Sequence, residues 1–173
     1  MPNWCHNVMY VRGEKKDLQA FDKIFKGFPD RPPEGKSFAD LERKYSFNAL
    51  YPIPNDEDWY KWSVDNWGTK WDIYYSDYTG AFFCENEYTY TFDTAWSPPE
   101  PWLKHVSTLF PTLEFEIQYY EPGIMFAGTT KYKNGQTTEE IFFERRKAFD
   151  YAVEIGLEAE EAVEMLEDGD LDG

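Results

Sequence analysis

Few residues in this chain are equipped for chemistry. There are two histidines and two cysteines in 173 residues. Cys5 and His6 are neighbours, and adjacent residues on a strand point to opposite faces, so they do not make a thiol–imidazole pair. Cys84 and His105 lie in unrelated segments, without a nucleophile signature or zinc-ligand spacing around either. The thiols read as reduced, packed residues of a cytoplasmic protein. DGDLDG, residues 168–173, matches the first six positions of an EF-hand loop through Asp168, Asp170, Asp172 and Gly173. The later carbonyl and bidentate glutamate ligands do not follow, so it reads as an acidic tail. Carboxylates are so plentiful that no glycosidase-type pair stands out. No catalytic residue, metal ligand or cofactor is expected.

Tryptophan is a stronger signal. Trp59, Trp62, Trp67 and Trp71 fall within thirteen residues, with Tyr60 beside them. Such a cluster serves either as a lid over a sheet face or as a platform for a base, a sugar or a partner's side chain. The stretch FDTAWSPPEPW, residues 92–102, raises the same choice. Ser97 suits an N-cap, Pro98 the first helical position and Glu100 the third, which together make a capping box. Asp93 and Trp96 are left over by that account, and Lys70 is a cation suited to Asp93. Trp67, Lys70, Asp93 and Trp96 therefore form the candidate binding patch.

The elements that must position them follow from periodicity. WCHNVMYV, residues 4–11, alternates as a strand, and Leu18, Phe21, Ile24, Phe25 and Phe28 follow helical spacing up to Gly27 and Pro29. Residues 29–46 read as a loop and FNALYPIP as a short extended piece ended by its prolines. Residues 55–67 read as a helix capped by Asn55 and stopped by Gly68. Strands follow in TKWDIYYSDY and in residues 80–93, with a turn at Asn86. A helix from Pro98 to Phe110 buries Trp102, Leu103, Val106, Leu109 and Phe110. LEFEIQYY faces Leu113, Phe115, Ile117 and Tyr119 inward. TTEEIFF reads as a returning strand or the start of a helix, and two helices, 144–155 and 157–167, break at Gly156. Without the insertion at about residues 29–66, the order is the βαββαβ of a ferredoxin-like α+β fold, an antiparallel sheet with helices on one face. The domain is expected over 1–138, with an acidic helical extension over 139–173.

Charge narrows the partners. The formal net charge is -16. Residues 139–173 hold thirteen acids and three bases, so most of the acidity belongs to that extension. Direct binding to a nucleic-acid backbone is disfavoured. No apolar run approaches the roughly 18 residues of a membrane span, and the N-terminus lacks the pattern of a signal peptide.

Three segments carry a resemblance. MPNWCHNVMYVRG, WGTKWD and FDTAWSPP resemble, in order, the MPNWC-x-N, YGxKW and FDTPWxPP stretches of the YubB ferredoxin-like domain family of phage and conjugative-plasmid proteins. Trp67 stands here for the family's tyrosine and Ala95 for its proline. The resemblance spans about residues 1–120. It implies a ferredoxin-like fold and a mobile-element origin, and it implies no enzymatic activity. The expectation is a non-enzymatic accessory protein in the host cytoplasm that binds a host protein with a basic surface, such as a defence or nucleic-acid-handling factor. The alternative is a binder that sequesters a nucleotide signal on an aromatic-lined pocket, with Lys70 and Arg12 as local cations.

Overall fold

The computed structural model describes residues 3–55, 57–77 and 79–158. In β1 (Trp4–Arg12) the alternation sorts the faces as expected: Cys5, Met9 and Val11 are fully buried, while His6, Val8, Tyr10 and Arg12 are partly exposed. Asn7 shares the buried face. Its amide donates to the carbonyls of Cys5 and Phe92 and to Thr94 Oγ1, which satisfies the buried donors. α1 (Lys15–Phe25) buries Leu18, Phe21 and Phe25, one stripe of a helix. Ile24 falls at the edge of that stripe and stays half-exposed.

The insertion is more ordered than its sequence suggests. β2 (Lys26–Gly27) and β3 (Lys44–Tyr45) pair as a short ribbon that closes the loop between them. FNAL, expected to be extended, is a helical turn, α2 (Phe47–Leu50). The cause is tertiary. The buried carboxylate of Asp72 accepts hydrogen bonds from the amides of Phe47 and Asn48 and from Ser46 Oγ, at 2.8, 3.1 and 2.7 Å, capping the turn from 24 to 26 residues away. The same carboxylate accepts the amide of Tyr74 and turns residues 73–75 into a 3-10 turn, so TKWDIYYSDY is not the expected strand. α3 (Trp59–Trp67) is capped by Asp58 rather than Asn55, and it ends at Gly68 in the left-handed region, φ 82°.

The remaining elements are β4 (Thr79–Phe83), β5 (Glu87–Ala95), α4 (Glu100–Leu109), β6 (Glu114–Glu121), β7 (Phe126–Lys133), β8 (Gln136–Glu144) and α5 (Arg146–Glu154). They build one antiparallel sheet in the order β4-β5-β1-β6-β7-β8. β1, α1, β4, β5, α4 and β6 make the βαββαβ unit, and the β7–β8 hairpin extends its edge. The boundary expected at residue 138 therefore falls inside β8, and TTEEIFF resolves as strand. The second helix expected over 157–167 falls largely outside the described residues, as does DGDLDG entirely.

α1 and α4 cover one sheet face. The core between is built of rings, with Phe21 edge-on to Tyr90 and Phe115, and Phe47 against Trp67, Phe92 and Trp102. In α4, Trp102, Leu103 and Val106 are buried, but Leu109 is half-exposed near the helix end. α5 lies on the opposite face rather than with the other helices. Phe149 and Ala152 pack with Tyr120 and Ala127, and Tyr151 shares a hydrogen bond with Thr129. Among the described residues no helix is long and apolar enough to cross a membrane.

Candidate functional site

The capping box expected at FDTAWSPPEPW does not form. α4 begins at Glu100 with Pro99 at its N-cap and no side-chain cap. Two consecutive prolines before the helix already fix the backbone. Ser97 Oγ instead donates to the carbonyl of Gly68, and the Glu100 carboxylate accepts from Thr130 Oγ1 and Tyr132 Oη on β7. Thr69 Oγ1 donates to the Ala95 carbonyl at 2.9 Å, and Thr94 Oγ1 to the Ser97 carbonyl at 2.7 Å. The Ser97–Gly68 and Thr69–Ala95 bonds join the end of α3 to the turn after β5. A Cβ on Gly68 would come within 2.5 Å of Pro101, so close approach as well as the backbone angle requires glycine there.

The seam sets the next residues side by side. Trp96 has φ 71°, a strained value for a residue with a side chain, and its amide donates to the Asn3 carbonyl at 2.9 Å. Lys70 places its ammonium 4.6 Å from the ring centre of Trp71, 5.5 Å from that of Tyr60 and 5.6 Å from that of Trp96. Trp71 packs on Trp4, with ring centres 6.1 Å apart. All three segments singled out in the sequence thus meet in one cluster: Lys70 and Trp71 from the second and Trp96 from the third gather at the ammonium, and Trp4 from the first packs behind Trp71. Among the described residues Lys70 has no carboxylate within ion-pair distance.

A cleft of about 350 Å3 opens beside this group. Trp59, Trp67, Trp71 and Tyr75 supply aromatic wall, and Lys70 and Arg31 supply the cations. The Arg31 guanidinium lies 4.0 Å from the ring centre of Trp59 and is ion-paired with Asp30 at 2.7 Å. Asp72 reaches the cleft wall as well. Burial lifts its carboxyl from the usual range to about 6, against the pull of its four hydrogen bonds. Those bonds commit it to holding the fold. Glu34 on the rim has no hydrogen bond or ion pair among the described residues.

Of the four residues expected to form a patch, Lys70 and Trp96 come together. Trp67 is almost wholly buried, its indole N–H given to the Tyr51 carbonyl, and it adds only ring surface to the cleft. The carboxylate of Asp93 is held by His6 at 2.7 Å, not by Lys70. Sequence reasoning missed Trp4, Arg31 and Glu34 as neighbours. Trp4 lies within MPNWC, a segment already singled out, but nothing local indicated that the 29–37 loop would fold over the tryptophans. Cys5 is in the core and His6 on the far face of β1, so no thiol–imidazole pair exists there. Among the described residues no three His, Cys, Asp or Glu side chains are grouped to hold a metal.

Fold and site together define a ferredoxin-like α+β protein with an aromatic cleft built on an insertion. Residues 70–167 match the family described as the ferredoxin-like domain in Api92-like protein, and the chain belongs to that family. The crystal structure of a protein api92 from Yersinia pseudotuberculosis is similar in fold. Its TM-score is 0.61 at 10% identity, over 84% of this chain and 99% of that one. No curated protein matches the sequence.

Proposed function

We propose that the chain is a non-enzymatic binding protein that captures a small planar ligand in the cleft beside Lys70. The observation that carries this reading is the ammonium of Lys70, set over three aromatic rings with no carboxylate partner among the described residues, and lining a concave, largely apolar cleft. A cation held by ring faces alone keeps its charge available to an incoming anion. Of the acids lining the cleft, Asp72 is spent on four protein donors, Asp30 is paired with Arg31, and Glu34 sits exposed to solvent, so none is a buried acid poised as a general base. The test is quenching of tryptophan fluorescence and thermal stabilisation by a panel of planar metabolites, nucleosides and nucleotides among them. Binding should weaken in Trp59→Ala, and binding of the anionic members of the panel should weaken in Lys70→Ala. A panel that leaves fluorescence and melting unchanged overturns the reading.

The resemblance of the three motif segments to phage and plasmid proteins supports a mobile-element origin and a setting in a host cytoplasm. A second reading, capture of a host protein with a basic surface, is favoured by the exposure of Trp4 and Trp96, each 39%, and of Tyr60, 42%, around Lys70. Exposed aromatics of this kind anchor protein interfaces, and a net charge of -16 steers a basic partner. With such a partner the association rate falls as salt rises. A rate independent of salt overturns the electrostatic part of that reading.

A further inference from the structure

We infer that the ligand of the cleft is a guanine nucleoside phosphate, its phosphate at Lys70 and the Watson–Crick edge of its base at Glu34. The inference rests on the cleft being a ligand site and adds which ligand it takes.

The cleft has two uncommitted charges of opposite sign. Lys70 and Glu34 both line it, and neither has an ion-pair partner among the described residues. Its other charged groups are occupied: Arg31 is paired with Asp30, and Asp72 accepts four hydrogen bonds. The same cleft presents ring surface from Trp59 and Trp71, together with the guanidinium of Arg31 over the Trp59 ring. A ligand matching all of this needs a planar π body, an anion for Lys70 and hydrogen-bond donors for Glu34. A nucleoside phosphate supplies the body and the anion. Guanine supplies the donors best, because its N1–H and N2–H groups lie parallel and meet both oxygens of a carboxylate. Adenine offers one amino group beside a ring-nitrogen acceptor, which faces the second carboxylate oxygen lone pair to lone pair. The volume, about 350 Å3, is at the small end of ligand pockets and suits one nucleotide rather than a strand.

The test is isothermal titration of the full chain with guanosine monophosphate, adenosine monophosphate, guanosine and inorganic phosphate. Guanosine monophosphate should bind at least about tenfold more tightly than either guanosine or adenosine monophosphate. Lys70→Met should erase the advantage of the phosphate and leave guanosine affinity within about twofold. Glu34→Gln, on an exposed loop, should erase the preference for guanine over adenine while circular dichroism and melting stay unchanged. A guanosine monophosphate carried at the 5′ end of an oligonucleotide should bind less tightly than the free nucleotide, since the chain's charge of -16 repels added phosphates. Tighter binding by the oligonucleotide overturns the single-nucleotide assignment. Equal binding of guanosine and its phosphate overturns the Lys70 assignment, and equal binding of the two monophosphates overturns the Glu34 assignment. In both cases the cleft remains a ligand site. Absence of heat and of fluorescence quenching with every compound, in a folded chain, overturns the inference and the site together.

Discussion

His6 Nδ1 lies 2.7 Å from Asp93 Oδ1, across the β1–β5 register that sets the two residues opposite each other. The hydrogen bond that the imidazole donates to the Asp93 carboxylate raises the histidine above its ordinary value, against the opposing effect of burial. A histidine whose folded value is raised contributes stability that is fully present below its unfolded value. That stability is lost as pH rises through the folded one. Asp93→Asn should therefore cost more stability at about pH 6 than at about pH 9. Denaturant melts at both conditions check it, and an equal cost would mean the pair acts as a neutral hydrogen bond.

Ser97→Ala should lower stability by about 1 kcal/mol, through loss of the hydroxyl bond to the Gly68 carbonyl rather than loss of a helix cap. Amide hydrogen exchange separates the two causes. Protection in the first turn of α4 should be unchanged, while protection at the end of α3 should fall. The reverse pattern would restore Ser97 as a cap.

Asp72 should make the protein more stable in mild acid than at neutrality. Its carboxyl, lifted from 3.8 to about 6 by burial, binds a proton more tightly in the native state. Stability from this group therefore falls as pH rises between those values, by about 3 kcal/mol. Asp72→Ala should remove this slope. It should also cost on the order of 3 kcal/mol at neutral pH, because the amides of Phe47, Asn48 and Tyr74 and the Ser46 hydroxyl lose their acceptor. Melts of both proteins across that range measure slope and offset, and an unchanged slope in the variant would assign it to other groups.

The same residue shows where reading the sequence stops. β1, α1, β5, α4 and β6 were legible because each carries its own period and buries one face. So was the stop of α3 at Gly68, which needs only local backbone geometry. α2 and the 3-10 turn at residues 73–75 were not, because the cap that makes them comes from Asp72 across the insertion, and no window around residue 47 contains it. The site divides the same way. Lys70 and Trp96 stood out by type within WGTKWD and FDTAWSPP, and they meet. Asp93 stood out equally, but its partner was decided by β1–β5 register, which places His6 opposite it. Arg31 and Glu34 reach the cleft only because the loop after β2 folds back, a long-range outcome without a periodic signal.

Trp96 offers the sharpest separation of strain from function. Its φ of 71° costs a side-chain-bearing residue about 1 kcal/mol, and the hydrogen bond from its N–H to the Asn3 carbonyl and the Gly68–Ser97 seam hold it there. Trp96→Gly removes the ring and the strain, whereas Trp96→Ala removes the ring alone. The glycine variant should therefore be more stable than the alanine variant by about 1 kcal/mol, even though glycine gains more freedom on unfolding. Equal melting would mean that the backbone relaxes once the indole is gone. The ring's own role appears in binding. Both variants take one of three rings from around Lys70, so both should bind a ligand of the cleft more weakly, and by the same factor. If both bind as tightly as the unaltered protein, the indole contributes nothing to capture. The strain would then serve only to route the chain from β5 into α4.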